Sequence, residues 1–202
     1  MIDHIRRLGH GGILIASPQM IFIDPWRISK VSFLADVLLI THDHYDHFSP
    51  ADIERVTGPQ TRIFGNERVA AQLEQVEVLR AWQSVGIERT TIRAIPAYSR
   101  DHVHPRHEGG LGFYISTNLH DIYYTGDTHL IPEMELLRPD ILILPIDGEG
   151  TMDAEEALQA VRLMQPRYVI PINWGFPDRG TTLREAEAFQ RMVGSLAEVI
   201  LG

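Results

Sequence analysis

The stretch Thr41-His-Asp-His-Tyr-Asp-His47 carries three histidines and two aspartates within seven positions. It directly follows Asp36-Val-Leu-Leu-Ile40, an apolar run that is typical of a strand covered on both faces. Neutral imidazole and carboxylate together form a ligand set suited to zinc or a similar ion. A solvated, histidine-rich turn is the alternative, but packing alone does not explain a buried strand that opens into such a loop. The stretch therefore predicts a metal centre.

The spacing within this motif, residues 41–47, indicates two metal positions. His42 and His44 are two residues apart, so in extended backbone they project to the same side and can bind one ion. Asp46 and His47 come after the chain has turned, so they face a different point in space. Structural zinc sites usually include thiolates, and the chain has no cysteine. We therefore expect the motif to form half of a catalytic two-metal site.

The composition of the 202-residue chain narrows the class of protein. Hydrophobic residues make up 44% and charged residues 22%, which is typical of a globular protein, and a single domain over residues 1–202 is the expected organisation. The formal net charge of −9 argues against a nucleic-acid partner, because such binding needs basic side chains. No apolar run is long enough to span a bilayer, so no membrane association is expected. The absence of cysteine and of an N-terminal apolar signal favours a cytoplasmic location.

Short runs typical of strands alternate with helical patterns along the chain. Gly12–Ala16 and Met20–Ile23 flank Ser17-Pro18-Gln19 and predict a hairpin. Ser49 before Pro50 predicts the start of a helix. Further strands are predicted near residues 61–64, 76–79, 90–95, 111–116, 121–125, 140–145 and 167–172, and further helices near 66–75, 132–137, 153–164 and 182–193. Strand clusters with helices between them predict an α/β fold in which helices cover two sheets.

Three segments outside the motif offer further ligands, and each lies at a predicted strand end or in a loop, where functional residues concentrate. The candidates are His102, His104 and His107 in the long loop 96–110, Asp127 and His129 after one predicted strand, and Asn173 at the end of another. Each segment alone is a weak signal, since loop histidines are usually solvated and Gly-Asp-Thr is a common turn. Together with the motif they predict one shared site.

With these segments in place, the chain resembles the metallo-β-lactamase superfamily of metal-dependent hydrolases. Within it, the chain is most similar to the group of small hydrolases that includes ascorbate-6-phosphate lactonase. The resemblance rests on the motif at 41–47, Leu8-Gly-His10, Ile23-Asp-Pro-Trp26, Pro96-Ala-Tyr98, His104-Pro105, Tyr124-Thr-Gly-Asp-Thr128, Ile131-Pro-Glu-Met134, Thr151-Met-Asp153 and Pro171-Ile-Asn-Trp-Gly175. It implies a four-layer αββα sandwich of two mixed β-sheets flanked by helices.

The resemblance also implies a role for each ligand residue. His42, His44 and His104 would bind one metal ion, Asp46 and His47 would bind the second, and Asp127 would bridge the two. Asp46 and Asp127 are thereby the carboxylates expected to serve catalysis. His104 is preferred among the loop histidines because it alone precedes proline, as the family pattern requires, whereas His102 and His107 remain alternatives.

The remaining site residues receive supporting roles or none. Asp24 resembles a residue that orients the histidine motif. His10 resembles a residue that faces the site, although an ordinary loop histidine is an equal interpretation. The family places a histidine ligand of the second metal where this chain has Asn173, and an amide oxygen is a poorer zinc ligand than imidazole. The second position should therefore bind more weakly, bind another metal or recruit another residue. His129 is a candidate recruit, or else contacts substrate or solvent.

The implied function is hydrolysis of a small-molecule ester, lactone or phosphoester by a metal-bound hydroxide. One or two zinc ions are the expected cofactor, with manganese or iron as alternatives. Arg100, Arg106 and Arg179 lie in loops where they could recognise phosphate or simply be solvated. A non-catalytic metal-binding or regulatory protein on the same fold is the main alternative. A nuclease or phosphodiesterase is the second, and the acidic charge disfavours it.

Overall fold

The computed structural model describes residues 2–16, 19–28, 32–176, 178 and 180–202, and within them thirteen strands form two mixed sheets. The first sheet contains, in spatial order, β1 (Ile5–Gly9), β2 (Gly12–Ala16), β3 (Met20–Ile23), β4 (Val37–Leu39), β5 (Arg62–Gly65) and β6 (Val76–Val78). The second contains β7 (Ser84–Ile87), β8 (Thr90–Pro96), β9 (Leu111–Ser116), β10 (Asp121–Tyr124), β11 (Ile141–Pro145), β12 (Tyr168–Ile172) and β13 (Glu198–Val199), also in spatial order.

Four α-helices lie in the described part of the chain: α1 (Pro50–Val56), α2 (Glu67–Ala70), α3 (Ala154–Met164) and α4 (Leu183–Val193). Side-chain caps fix where they begin. The Ser49 side chain accepts from the Asp52 backbone N–H, and Pro50 is the first helical residue, as the sequence predicts. Thr182 and Glu185 form a reciprocal capping box at the start of α4. No helix built from the described residues is both long and apolar enough to cross a lipid bilayer.

The period-2 alternation of side chains along the strands creates the layers. Ile13 and Ile15 of β2 face a core that the two sheets share, whereas Leu14 faces the opposite side of its sheet, where α1 and α2 pack. The second sheet does the same: Ile143 enters the shared core, and Leu142 packs under α3 and α4. The result is the predicted αββα sandwich of two mixed sheets.

Most predicted elements are present, with boundaries shifted by one or two residues. The hairpin is confirmed by the antiparallel pairing of β2 with β3, although Ser17 and Pro18 of its turn lie outside the described residues. The predicted helix over 66–75 is wrong in length, because α2 ends at Ala70 and turns and a bend follow up to β6. Val69 is its one fully buried residue, so no apolar stripe holds a longer helix on the sheet.

The strand directions explain why distant segments meet at one edge. β3 and β4 are parallel, and β1 runs in the same direction because two antiparallel pairings separate it from β3. In the second sheet, β8, β10 and β12 share one direction by the same reasoning. The loops after β1, β3, β4, β8, β10 and β12 carry every candidate ligand, and such loops beyond the carboxyl ends of strands are where ligands bind in open α/β sheets.

Candidate metal centre

Three overlapping groups of ligand side chains lie at this edge. They are His42, His44 and His104; His42, His47 and Asp127; and His10, Asp46 and His47. In each group the ligand atoms lie within 4.8 Å of one another, a spacing that a single ion could bridge. The second group shares a histidine with each of the others, so the three form one continuous cluster.

The first group joins the histidine motif to the long loop after β8. The rings of His42 and His44 are 4.7 Å apart, and the His104 ring lies 5.0 Å and 4.7 Å from them, measured between centroids. Ser99 holds this loop in place: its backbone N–H donates to the His104 carbonyl and its hydroxyl accepts from the His104 N–H. His42 and His104 are buried, and His44 is partly exposed. His102 and His107 are exposed, so the structure places only His104 of the three beside the motif.

Asp127 lies between the ends of the cluster. Its Oδ2 atom is 3.3 Å from His47 Nε2 and 3.6 Å from His104 Nε2. The preceding Gly126 has a φ of +66°, and a Cβ atom there would lie 2.5 Å from the Leu111 carbonyl oxygen, so the turn requires glycine. This turn directs the Asp127 carboxylate towards histidines of both the motif and the long loop.

Asp24 organises the motif from beneath. It accepts hydrogen bonds from the Thr41 backbone N–H (2.9 Å), the Thr41 hydroxyl (2.6 Å) and the Tyr124 hydroxyl (3.1 Å). His47 Nδ1 lies 2.8 Å from the same carboxylate and must donate to it, which leaves Nε2 free to bind metal. The Thr41 hydroxyl also lies 2.9 Å from His42 Nδ1 and fixes that ring in the same way. Asp24 thus contacts the motif at both Thr41 and His47.

His10 and Asp46 form the most buried end of the cluster. The His10 side chain is fully buried, and its Nε2 atom is 3.2 Å from Asp46 Oδ2. The next residue, Gly11, packs closely against His47, since a Cβ atom there would lie 2.8 Å from His47 Cε1. The His10 ring packs edge-on against Trp26 at 5.3 Å. The structure therefore places His10 among the candidate ligands.

Asn173 follows β12 and contacts the cluster through its amide nitrogen. Its Nδ2 atom donates to Asp127 Oδ1 over 2.9 Å, and its backbone N–H donates to the His10 carbonyl over 3.2 Å. His10, Asp24 and Asn173 all have positive φ angles, at 43°, 45° and 60°. Non-glycine residues rarely adopt this conformation, and such strain tends to cluster at functional sites.

The buried charges of the cluster influence one another. Burial is the largest effect on His42 and lowers its pKa well below the ordinary imidazole value, and burial also lowers the pKa of His104. For His47 burial acts in the same direction, but Asp127 and Asp24 outweigh it and raise its pKa well above the ordinary value. Burial opposes ionisation of Asp127, yet His47 and His42 hold its pKa well below the usual range.

Several buried atoms of the cluster have no hydrogen-bond partner among the described residues. They are Nδ1 and Nε2 of His10, Nε2 of His42, His47 and His104, and Oδ1 of Asn173. Buried polar atoms without partners are costly and uncommon in folded proteins. Neutral imidazole nitrogens and carboxylates form a donor set that fits a transition metal such as zinc, manganese or iron.

Other predicted residues lie outside the three groups. His129 contacts Glu156 at 3.1 Å and lies 3.7 Å from Asp101. Arg100 is paired with Glu156 and Arg106 with Glu133, while Arg179 falls outside the described residues.

Sequence reasoning missed three contributors to this edge of the molecule. Thr41 and Tyr124 support Asp24, and their proximity depends on pairing between distant strands. Asp147 follows β11, where burial and then Asp127 raise its pKa to about 7. The only signal for Asp147 in the sequence is its place just after a strand that ends at the same edge.

Two cavities adjoin the cluster. A small one is lined by His42, His104, Asp127 and neighbouring residues. A larger cavity of about 410 Å³ shares Ala97, Glu108 and Gly110 with it. The larger cavity therefore has room for a small molecule next to the smaller cavity that His42 and His104 line, since ligand pockets of about 300–1,000 Å³ are typical.

Comparison with known proteins agrees with this geometry. The sequence-family model of the beta-lactamase superfamily domain matches residues 4–173 of this chain. A UPF0173 metal-dependent hydrolase from Thermococcus kodakarensis is 32% identical over 218 residues, which cover 98% of this chain and 95% of that protein. Among solved structures, a metal-dependent hydrolase from Parabacteroides distasonis superimposes with a TM-score of 0.86 at 28% identity, over 97% of this chain and 90% of that one. Igni18, a metallo hydrolase from Ignicoccus hospitalis, gives 0.81 at 27% identity, over 98% and 94%.

Proposed function

The chain belongs to the beta-lactamase superfamily and is a metal-dependent hydrolase, and we propose that its substrate is a small ester, lactone or phosphoester cleaved at the histidine cluster. The observation that carries this proposal is the convergence of four buried imidazoles, each with an unpartnered nitrogen among the described residues, beside a cavity. Structural packing leaves such nitrogens without a purpose, whereas a hydrolytic metal centre requires them.

Different residues of the cluster would bind different metal ions. His42, His44 and His104 would hold one ion, and Asp46 and His47 would hold a second, with Asp127 reaching both. We propose zinc as the ion, because imidazole predominates over carboxylate in this set. When bound, such an ion polarises a carbonyl or phosphoryl oxygen and lowers the pKa of water. Asp24 keeps the His47 ring in the tautomer that presents Nε2 to the site, and the Thr41 hydroxyl, which Asp24 holds, does the same for His42.

The larger cavity favours a carboxylic ester or lactone over a phosphoester. The arginines that line it are already paired with carboxylates: Arg68 with Asp43 and Glu108, Arg80 with Glu67, and Arg106 with Glu133. A phosphate would have to displace these partners to gain a bidentate contact. The remaining lining includes Trp82 and Tyr98, whose rings suit an uncharged substrate. The absence of cysteine from the sequence supports a cytoplasmic reaction.

The proposal is tested by turnover of the zinc-loaded protein on 4-nitrophenyl acetate, a thiolactone and bis(4-nitrophenyl) phosphate. We expect hydrolysis of the first two to exceed that of the phosphodiester, and His42→Ala to reduce it more than about 100-fold, since losing a mere supporting residue of a metal ligand costs about 10–100-fold. His120→Ala is the matched control, because His120 lies in the β9–β10 turn at the opposite edge. Equal rates for wild type and His42→Ala would refute the proposal.

A further inference from the structure

We propose that His10 is a ligand of the second metal ion and replaces the histidine ligand that the family has at residue 173. Asn173 instead orients the Asp127 carboxylate. The inference rests on the proposed function, because it assumes that the cluster binds metal. It assigns the imidazole that completes the group formed with Asp46 and His47.

The His10 ring has no other evident purpose. It is fully buried, and neither ring nitrogen makes a hydrogen bond to any residue that the structure describes. Its Nε2 atom nevertheless lies 3.2 Å from Asp46 Oδ2, within the ligand group that also contains His47. A ligand pair on one tetrahedral zinc ion is separated by a similar distance, about 3.3 Å when both bonds are about 2.0 Å. A shared cation would satisfy both side chains.

The backbone brings residue 10 to the position of residue 173. The Asn173 N–H donates to the His10 carbonyl over 3.2 Å, which joins the β1–β2 turn to the end of β12. Both residues have positive φ angles, so both loops are bent at the point where they meet. Gly9 and Gly11 leave room for this turn: a Cβ atom on Gly9 would lie 2.7 Å from the Phe176 ring, and one on Gly11 would lie 2.8 Å from His47. An imidazole on residue 10 therefore enters the cluster from a turn that is hydrogen-bonded to the loop carrying residue 173.

Asn173 is already engaged as a hydrogen-bond donor. Its amide nitrogen donates to Asp127 Oδ1, so Oδ2 of that carboxylate is left to face His47 and His104. Imidazole is also the better zinc ligand, whereas an amide oxygen suits harder ions. The two residues thus divide the tasks of binding the ion and orienting the shared carboxylate.

The packing around His10 fixes its orientation. Trp26 and Phe176 lie edge-on to the ring at centroid distances of 5.3 Å and 6.5 Å. An imidazole held by two aromatic neighbours and offered to a carboxylate is preorganised as a ligand, which reduces the entropy lost on binding. The competing interpretation is a simple ion pair between protonated His10 and Asp46.

The test counts the metal ions bound by the full chain and measures their affinities with zinc alone as the probe. His10→Gly and His10→Asn are the variants, because both residues tolerate the positive φ at this position. We expect the wild type to bind two zinc ions and both variants to keep one of them at full affinity. The affinity for the other ion should fall more than about 100-fold, which exceeds the effect of losing a residue that only supports a ligand. Unchanged stoichiometry and affinity in both variants would support the ion pair and overturn the proposal, as would a wild type that binds only one ion.

A rescue experiment separates a ligand role from a structural one. Adding Asn173→His to His10→Gly should restore two ions, and the cobalt-loaded double variant should recover the visible absorption bands of the second position. Persistent loss of the second ion in a folded double variant would contradict the shared position. If wild type binds two ions and His10→Gly binds one, but no ester or lactone is hydrolysed, the ligand assignment stands and the proposed substrate class fails.

Discussion

The two ends of the cluster are built differently. His42, His44 and His104 form an end that faces a cavity and consists of imidazoles alone. The other end, with His10, Asp46 and His47, is fully buried and contains carboxylate. Two of the three strained residues of the site, His10 and Asn173, meet at this buried end. The open end is thus suited to contact substrate, and the buried end to hold an ion under tight geometric control.

Loss of the Asp127 side chain should weaken metal binding at both ends, since its carboxylate approaches histidines of both ends. We expect Asp127→Ala to lose both ions at micromolar free zinc and to reduce hydrolysis more than about 100-fold. Elemental analysis after dialysis measures the metal content. Retention of two ions would show that the ends are independent and that Asp127 bridges nothing.

Substitution of Asp24 should weaken metal binding at both ends, whereas substitution of Thr41 should weaken it at one end. Asp24 supports His47 directly and His42 through the Thr41 hydroxyl. We expect Asp24→Asn to weaken both ions about 10–100-fold, and Thr41→Val to weaken only the ion at the open end. Zinc titration by calorimetry compares the two variants. A matched loss of both ions in Thr41→Val would contradict the separate roles.

The two ends should also differ in the pH at which they lose their metal ion. The lowered pKa values of His42 and His104 mean that their rings stay neutral below the ordinary imidazole pKa of about 6.5, so protons compete weakly with metal there. The raised pKa of His47 means that a proton competes strongly at the buried end. As pH falls, the ion at the buried end should therefore leave first. Metal content measured at successive pH values tests this order, and release of both ions at one pH would refute it.

His129→Ala should have the smallest effect. Its ring contacts Glu156 and Asp101 rather than the cluster, and partly exposed ion pairs contribute little, about 0–1 kcal/mol. We expect two bound ions and a change of less than about 1 kcal/mol in the free energy of unfolding. Loss of one ion in a folded His129→Ala protein would make this residue a ligand and remove the need for His10.

Local sequence indicates the ligands within the motif, whereas it does not decide which loop histidine joins the open end or what His10 does at the buried end. His42, His44, Asp46 and His47 lie close together in the chain, so their spacing alone indicates ligands. His10 lies in a short turn whose neighbours are set by pairing between strands far apart in sequence, which local patterns do not encode. For the same reason the contact between Asn173 and Asp127 required the structure.

The secondary structure likewise divides into elements that local sequence predicts and elements that depend on packing with distant residues. Strands β9 and β12 follow from apolar runs, and α1 follows from Ser49 and Pro50 at its start. β7, with its exposed and half-buried residues, has no such run, so local sequence does not predict it. The helix predicted over 66–75 was too long because its packing against the sheet ends early.

The most direct test of a two-ended metal centre is anomalous diffraction at the zinc edge from crystals of the zinc-loaded protein. We expect two peaks, one contacted by His42, His44 and His104 and the other contacted by Asp46, His47 and His10, with Asp127 reaching both. A single peak, or a second peak whose protein contacts include the Asn173 oxygen but not His10, would contradict it.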